Sequence, residues 1–293
     1  MNVGFVGLGR MGSGMAQRIL ARGHDLAVYD VMTDRTVELA GAGARAASSI
    51  ADVCNGRDVV ITMLAEDAHV HAVAFGAGGL CESLPAGAVH LAMGTYGIAT
   101  IRALTAAHAK AGQTLVAAPV LGRPDLAASG QLGIVVAGPA DAVARCEPLF
   151  QIIGRHTRPA GSEPQAASAI KLANNLVLGC AIEAMGEAFS LVRKYGVEQQ
   201  VLYDVMTEGL FSAPAYKVYG KIIVDEAYDR AGSTVNLNLK DANLILAAGD
   251  IVRVPLPSGN VFRDRILGAI AHGDGEKDVA AIALEQARAS GIK

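Results

Sequence analysis

Residues 3–12 read Val3-Gly4-Phe5-Val6-Gly7-Leu8-Gly9-Arg10-Met11-Gly12, and this stretch decides the fold. A short apolar run of strand type meets three glycines at the spacing G-x-G-x-x-G, and a helical pattern begins at Gly12. In such a turn one glycine allows the sharp reversal, one lets backbone approach a pyrophosphate, and one permits close packing of strand and helix. The helix N-terminus then presents free N–H groups and a positive dipole end to the phosphates. The residues from Gly7 to Gly12 are therefore predicted to bind a dinucleotide.

An acidic residue stands at the end of the next predicted strand. Asp30 follows the glycines by about 20 residues, as the dinucleotide fingerprint requires. Its carboxylate would accept hydrogen bonds from the ribose hydroxyls of NAD and repel the 2′-phosphate of NADP. Arg35 is a possible phosphate partner, but we expect it on the solvated face of the next helix. The predicted cofactor is NAD in preference to NADP.

The first part of the chain alternates strand-type runs with helical stretches. The predicted strands are Val3–Val6, Leu26–Tyr29, Val59–Met63, Val89–Met93, Leu115–Ala118 and Gly133–Ala137. Alternation of this kind predicts right-handed βαβ units and a mostly parallel sheet with helices on both faces. The fold class is therefore α/β, beginning with a Rossmann-type, doubly wound domain.

The pattern changes near Gly161-Ser162-Glu163-Pro164, after which only helical periodicity is found. Proline suits the first turn of a helix, and the next helix-closing glycine is Gly196. The sequence predicts an NAD(P)-binding domain over residues 1–163 and an all-helical domain over residues 164–293. A long central helix, ending near Lys194, would join them.

Composition narrows the possible partners of the chain. The 293 residues are 52% hydrophobic and 18% charged, with a net charge of −3, so no basic surface for nucleic acid or membrane is expected. The low charge instead suggests a subunit interface. Four scattered cysteines without nearby histidines predict no metal site. With neither a basic leader nor an apolar run of about 20 residues, the chain is expected to be cytoplasmic.

A second candidate site lies in the predicted central helix, which contains Lys171-Leu172-Ala173-Asn174-Asn175. Lys171 and Asn175 are four residues apart, so they share one helix face. Reduction of a carbonyl needs a proton for the alkoxide that forms, and a lysine of lowered pKa can supply it. An amide one turn away can hold the substrate oxygen. A surface lysine on a long helix is the competing interpretation, and these residues alone leave both open.

Two interpretations are also open for Lys240-Asp241, a charged pair inside an apolar helical pattern. It is either a further functional feature or an ordinary solvated face.

At these residues the chain resembles the β-hydroxyacid dehydrogenase family, which includes 3-hydroxyisobutyrate dehydrogenase and tartronate semialdehyde reductase. The resemblance covers essentially the whole length. The matching segments, in family order and spacing, are Gly7–Gly12 with Met15-Ala16, Thr62-Met63-Leu64, Gly94-Thr95, Ala118-Pro119-Val120, Lys171–Asn175 and Lys240-Asp241.

The resemblance implies a role for each matching residue. Lys171 would be the catalytic acid and base, and Asn175 its partner on the substrate oxygen. Met63, Leu64 and Thr95 would line the cofactor, and Lys240 would lie near both nicotinamide and substrate. The family also implies that residues 164–293 form a substrate and dimerisation domain like the C-terminal domain of 6-phosphogluconate dehydrogenase, and that a homodimer or homotetramer forms through it.

The substrate loop departs from the family pattern Asp-Ala-Pro-Val-Ser-Gly-Gly. Here it reads Ala117-Ala118-Pro119-Val120-Leu121-Gly122-Arg123. Leu121 removes a hydroxyl donor, and Arg123 either pairs with a substrate carboxylate, belongs to a pocket for a less polar substrate, or points to solvent. This variant loop is similar to that of relatives related to imine reductases. A smaller departure is Tyr96, in Gly94-Thr95-Tyr96-Gly97, which we expect to pack inside the protein.

Three functions follow. The first is an NAD(P)-dependent oxidoreductase that acts on a small β-hydroxyacid and its semialdehyde, with Leu121, Gly122, Arg123, Asn175 and Lys240 at the substrate. The second is a reductase of uncharged ketones or imines, which Leu121 would favour. The third is a non-catalytic nucleotide-binding interaction module, against which the presence of both Lys171 and Asn175 argues.

Overall fold

The computed structural model describes residues 1–292, which separate into two compact units. The first unit is Met1–Lys171, and the second begins at Leu172. The strands, in chain order, are β1 (Asn2–Val6), β2 (Asp25–Tyr29), β3 (Arg45–Ala46), β4 (Val59–Thr62), β5 (Val89–Ala92), β6 (Thr114–Ala117), β7 (Val120–Leu121), β8 (Leu132–Val136) and β9 (Gly154–Pro159).

Eight helices accompany these strands in the first unit. They are α1 (Gly12–Ala21), α2 (Asp34–Gly41), α3 (Ile50–Cys54), α4 (Asp67–Phe75), α5 (Leu80–Ser83), α6 (Ile98–Lys110), α7 (Pro124–Ser129) and α8 (Ala140–Ile153). The remaining helices are α9 (Gln165–Lys194), α10 (Gln199–Glu208), α11 (Pro214–Val224), α12 (Val235–Val252), α13 (Pro257–Ala271) and α14 (Ile282–Ala289), with a 3₁₀ turn at Val279–Ala281.

A six-stranded sheet in the order β3-β2-β1-β4-β5-β6 forms the centre of the first unit. All of its strand pairs are parallel. The chain winds outward from β1 in one direction and from β4 in the other, so a topological switch point lies between these two strands. In open parallel sheets, ligands bind at the carboxyl ends of the strands beside such a switch point.

Five of the predicted strands belong to this sheet, and each predicted end lies within one residue of the observed end. Their predictability has a physical cause. The sheet is covered on both faces, so the residues of its central strands are buried and mostly apolar. The four residues of β4 and the four of β5 are all buried. The predicted α/β fold with a helical C-terminal region is confirmed.

The sixth predicted strand, Gly133–Ala137, lies in a different sheet. It corresponds to β8, which is the middle strand of a three-stranded sheet between antiparallel β7 and parallel β9. Strands β3, β7 and β9 are not predicted from the sequence. The first two are only two residues long, and β9 is polar and largely exposed, so none carries the apolar pattern of a buried strand.

The second unit is helical throughout its described residues. Its core packs the α9 side chains Ile182, Met185 and Phe189 against α11, α12 and α13. These three residues recur at helical spacing, so they form a single buried stripe. The stretch from Leu176 to Ile182 is apolar nearly all round, a pattern that predicts burial on several sides, but Val177 is 69% exposed.

Helix α9 is 30 residues long and crosses the boundary between the two units. Its first turn belongs to the core of the first unit, where Ala166 and Ala167 pack with Val135 of β8 and with Ala137, the residue after β8. The predicted domain boundary, between residues 163 and 164, falls just before this helix. By length and composition alone α9 is also able to cross a membrane, a test that core helices pass as well.

Candidate active site

The three glycines after β1 have three different surroundings. Gly7 adopts a φ of +98°, and a Cβ there would lie 2.5 Å from the carbonyl oxygen of Met63. A Cβ on Gly12 would overlap the carbonyl oxygen of Gly7. Gly9 has no neighbouring atom within 4 Å of its Cβ position. Protein packing therefore requires Gly7 and Gly12, whereas the bare Cα of Gly9 faces open space, where a ligand's phosphates fit.

The start of α1 is electrostatically suited to an anion. Its first turn, Gly12–Met15, holds no acidic side chain, and Met11 at the N-cap makes no side-chain capping bond. The positive end of the helix dipole is thus not neutralised from within the helix. Arg10, in the turn before it, is exposed, while Met11 packs partly against the core. These residues fit the pyrophosphate of a dinucleotide.

Asp30 is nearly buried, with 6% exposure, and holds the glycine turn in place. Its Oδ2 accepts a hydrogen bond of 2.7 Å from the backbone N–H of Leu8, and its Oδ1 accepts one of 2.8 Å from Met32. The Arg35 guanidinium lies 3.4 Å from Oδ1 and is half exposed. A carboxylate offers about four acceptor positions, so it retains capacity for ribose hydroxyls. Arg35 is on a solvated face, as predicted, but it also pairs with Asp30.

Two loops follow the strands on the β4 side of the switch point. Met63 and Leu64 follow β4, and the Leu64 side chain reaches the glycine turn, 2.8 Å from the Cβ position of Gly7. The Leu64 N–H donates a 3.1 Å hydrogen bond to the Tyr96 hydroxyl, which belongs to the loop after β5. Thr95 lies beside Tyr96 and is half-buried. The structure therefore brings the glycine turn, Leu64 and the Thr95 loop together.

Tyr96 packs inside the first unit rather than covering a pocket, as expected. Its ring is 1% exposed, among Val70, Ile101 and Leu104. A Cβ on Gly94 would overlap the phenol ring, so glycine is needed at that position because of Tyr96.

The variant substrate loop forms β7 and the start of α7. Leu121 is half-buried at the edge of the core beside the second sheet, and Gly122 adopts a φ of +145°. Arg123 is the N-cap residue of α7 and is half-buried, with its Nη1 atom removed from solvent. Arg123 therefore does not extend fully into solvent, which was one of the three alternatives for this residue.

Asp241 links the polar residues of the second unit. Its Oδ2 accepts a 2.7 Å hydrogen bond from the amide Nδ2 of Asn175, and its Oδ1 forms a 2.8 Å ion pair with the ammonium of Lys240. The Lys240 and Asp241 side chains are only 18% and 13% exposed, so this pair is not an ordinary solvated face. Since an ionised carboxylate only accepts, the amide NH₂ of Asn175 points at Asp241, which leaves its oxygen directed elsewhere.

Lys171 lies one turn before Asn175 on α9 and is half-buried. The sequence predicts Lys171, Asn175 and Lys240 as residues of the catalytic and substrate site, but it does not predict Asp241. The only sequence feature that marked Asp241 was a charged residue within an apolar helical pattern. That feature does not show that its carboxylate binds Asn175 and Lys240.

Among residues 1–292, no cluster of three or more histidine, cysteine, aspartate or glutamate side chains is arranged to hold a metal ion.

Two family models match the chain. Residues 2–161 match the NAD-binding domain of 6-phosphogluconate dehydrogenase. Residues 166–285 match the model described as the NAD-binding domain of NADP-dependent 3-hydroxyisobutyrate dehydrogenase.

Curated relatives span nearly the whole chain. An uncharacterised oxidoreductase of Bacillus subtilis is 38% identical over 96% of this chain and 98% of its own length. A 3-hydroxyisobutyrate dehydrogenase of Pseudomonas aeruginosa is 31% identical over 94% of each chain.

Solved structures share the fold. A 3-hydroxyisobutyrate dehydrogenase of Salmonella typhimurium is 26% identical with a TM-score of 0.86, covering 97% of this chain and 99% of that one. An imine reductase of a Pseudomonas species is 20% identical with a TM-score of 0.61 over 97% and 98%, which shows a common fold alone. The family models and the relatives together place the chain in the β-hydroxyacid dehydrogenase family of NAD(P)-dependent oxidoreductases.

Proposed function

We propose that the protein transfers hydride between a nicotinamide dinucleotide and a small β-hydroxyacid or its semialdehyde, with Lys171 as general acid and base. The observation that carries the proposal is the side-chain arrangement along α9. Lys171 and Asn175 share a face, and Asp241 holds the Asn175 amide in one orientation. An amide fixed in this way suits a substrate oxygen better than one free to rotate.

The chemistry divides between cofactor and protein. The bound nicotinamide supplies or accepts the hydride. The Lys171 ammonium gives a proton to the oxygen that becomes an alkoxide during reduction, and neutral Lys171 takes that proton back during oxidation. Asn175, whose NH₂ is engaged by Asp241, presents its oxygen as an acceptor for the substrate hydroxyl. Asp241 itself acts through Asn175 and Lys240, so it is a positioning residue.

The proposed carboxylate anchor is Arg123. Arg123 is half-buried and follows Gly122, in the loop where the family pattern has serine and glycine. A planar guanidinium binds a carboxylate through two parallel hydrogen bonds, which replaces the missing hydroxyl. Leu121 is the observation that favours the second candidate function, reduction of uncharged ketones or imines, because it contributes an apolar surface to the same loop.

We propose NAD as the preferred cofactor. Asp30 directly follows β2, and its carboxylate would repel a 2′-phosphate. The Arg35 guanidinium lies 3.4 Å from Asp30 and partly offsets the charge of that carboxylate.

A homodimer or homotetramer is the proposed assembly. Large apolar side chains of the second unit are exposed, including Val177, Leu191, Tyr195, Val205 and Leu210. Burial of such side chains in a subunit interface removes apolar surface from water. Light scattering after gel filtration would measure the mass, and a monomer would contradict the proposal.

The experiment that tests the function compares the wild-type protein with Arg123→Ala in assays of reduced-cofactor consumption. One set of substrates contains short semialdehydes and glyoxylate, and the other contains uncharged ketones and cyclic imines. Arg102→Ala, on the exposed side of α6, is the matched control.

Turnover of the acids alone, with a KM raised by Arg123→Ala and unchanged by Arg102→Ala, supports the proposal. Preference for uncharged substrates, with no effect of Arg123→Ala, favours the second function. Tight cofactor binding without any turnover would instead favour a nucleotide-binding module.

A further inference from the structure

The substrate loop leads directly into helix α7, and the backbone of Arg123 joins the two. Arg123 is the N-cap residue of α7, and Pro124 follows it in the first turn. The Arg123 carbonyl accepts hydrogen bonds of 3.0 Å from the N–H of Leu126 and of 3.1 Å from the N–H of Ala127. The proline ring restricts this turn further, because it fixes φ. The backbone of Arg123 therefore follows any displacement of α7.

Helix α7 packs against α1, the helix whose N-terminus suits a pyrophosphate. Ala127 is fully buried in the core that also contains Met15 and Ile19 of α1. The two helices approach closely at Gly14, in the first turn of α1. A Cβ on Gly14 would lie 3.0 Å from both the Cα and the backbone nitrogen of Ala128. The contact at Gly14 is therefore backbone against backbone.

Arg18 holds the other end of α7 from the same face of α1. Gly14 and Arg18 are four residues apart, so both lie on one side of the helix. Gly130 ends α7 with a φ of +70°, and a Cβ there would overlap the Arg18 guanidinium. The Nε–H of Arg18 donates a 2.8 Å hydrogen bond to the carbonyl of Ile152 in α8. This bond fixes the guanidinium against the end of α7.

Strand β8 supports the beginning of the substrate loop. Leu121 pairs with Gly133 of β8 in antiparallel register. Gly122 has a φ of +145°, and a Cβ there would lie 2.8 Å from Cδ2 of Leu132, the first residue of β8. The start of the loop is therefore held by a strand, and its end at Arg123 is held by α7.

We propose that Gly14 and Arg18 are positioning residues for the substrate, because they fix α7 and α7 carries Arg123. One face of α1 thereby sets the distance between the bound pyrophosphate and the guanidinium that binds the substrate carboxylate. A bidentate pair needs both hydrogen bonds aligned, so a small displacement of the guanidinium weakens it. This role rests on the proposed function, in which Arg123 is the carboxylate anchor, and it identifies what determines the position of that anchor.

The test is Gly14→Ala, whose added methyl group forces α7 away from α1 by a few tenths of an ångström. We expect the KM for a short semialdehyde carboxylate to rise about three- to tenfold, with kcat within about twofold of wild type. The Kd for oxidised cofactor, measured by calorimetry, should also stay within about twofold, because the new Cβ points at α7. Gly41→Ala, at the end of α2, is the matched control, since a Cβ there meets open space.

A double-mutant cycle with Arg123→Ala separates positioning from a general packing defect. In the Arg123→Ala background, Gly14→Ala should change the KM by less than about twofold, because the group that it displaces is gone. Equal factors in both backgrounds would contradict the positioning role. If Arg123→Ala leaves the KM unchanged, the proposed carboxylate anchor fails and the positioning role fails with it. If Arg123→Ala raises the KM and Gly14→Ala does not, the positioning role alone fails.

Arg18→Met tests the same role without adding volume between the helices, so it also decides the question if Gly14→Ala does not fold. It keeps an unbranched side chain and removes the donor to Ile152. The KM for the same semialdehyde should rise about threefold, and only while Arg123 is present. Arg22→Met is its matched control, because Arg22 is exposed at the C-cap of α1 and loses the same charge. An unchanged KM in Arg18→Met, or an equal rise in Arg22→Met, would overturn the proposal.

Discussion

The side-chain amide of Asn175 donates a hydrogen bond of 2.7 Å to Oδ2 of Asp241, although the two residues are 66 positions apart in the sequence. This bond determines which end of the amide is available, because a carboxylate accepts only from the NH₂ group. The other Asp241 oxygen is paired with Lys240, so one carboxylate orients two of the residues expected at the substrate.

Asp241→Asn should reduce kcat about 10- to 100-fold while the cofactor Kd changes little, because the charge that holds Lys240 and Asn175 is lost. Steady-state kinetics and calorimetry on the same preparations would measure both. Asp264→Asn is the control, since Asp264 is exposed on α13 and pairs only distantly with Arg263. A kcat within twofold of wild type would show that Asn175 does not need this partner.

Lys171→Ala should lower turnover about 100-fold or more and leave cofactor affinity nearly unchanged, as expected for the loss of a general acid. Single-turnover kinetics at saturating cofactor would isolate the effect. Lys194→Ala, at the exposed far end of the same helix, provides the comparison. Near-normal turnover in Lys171→Ala would refute the assignment of the acid.

Gly9→Ala should weaken cofactor binding without changing Tm, whereas Gly12→Ala should lower Tm. A Cβ on Gly9 meets only open space, so Tm should be unchanged while cofactor affinity falls about tenfold or more. On Gly12 it would overlap the Gly7 carbonyl, so Tm should fall by about 5 °C or more even without cofactor. Calorimetric titration and thermal unfolding distinguish the two outcomes. If Gly9→Ala bound cofactor normally, the open space would not be the phosphate site.

Asp30→Ala should narrow the preference for NAD over NADP and also destabilise the glycine turn. The backbone N–H groups of Leu8 and Met32 would lose their acceptors, at a cost of about 1–3 kcal/mol each if they stay buried. Kd values for both cofactors and the urea midpoint would be measured. Arg35→Ala retains both backbone bonds, so its urea midpoint should remain near that of wild type. A protein that already prefers NADP would contradict the proposed cofactor.

The free energy of unfolding should decrease as the pH falls below about 6.5, the ordinary pKa of histidine. The folded state holds His90 and His108 at lowered pKa values, so the unfolded state binds more protons in this range. The stability they contribute is present above the unfolded pKa and is lost as pH falls towards the folded values. Urea unfolding of His90→Asn should show a shallower pH dependence than the wild-type protein. Parallel curves would show that these rings do not cause the loss.

The parts of the fold that the sequence predicted are those with a local signature. Five buried parallel strands appear as continuous apolar runs, and the Gly7–Gly12 turn has its own spacing. The two-residue strand at Arg45–Ala46 and the polar strand at Gly154–Pro159 depend on their neighbours in space, so no local pattern marks them.

The same distinction applies to the site. Lys171 and Asn175 could be paired from helix geometry alone, because both lie on α9. The partner of Asn175 could not, since Asp241 lies on a different helix and its contact depends on how the two helices pack. His90, His108 and Gln113 gave no sequence signal for a related reason. None of the three has a distinctive sequence context, and only the folded structure brings their side chains within hydrogen-bond distance.

The buried hydrogen bonds that join Thr62, His90, His108 and Gln113 have an evolutionary consequence. A substitution at His90 or His108 alone would leave a neighbouring donor or acceptor without a partner inside the first unit, so single changes are selected against. Replacement of the whole set by apolar residues carries no such penalty. In descendants of this protein, the four residues should therefore be inherited or lost as a block, and intermediate combinations should be rare.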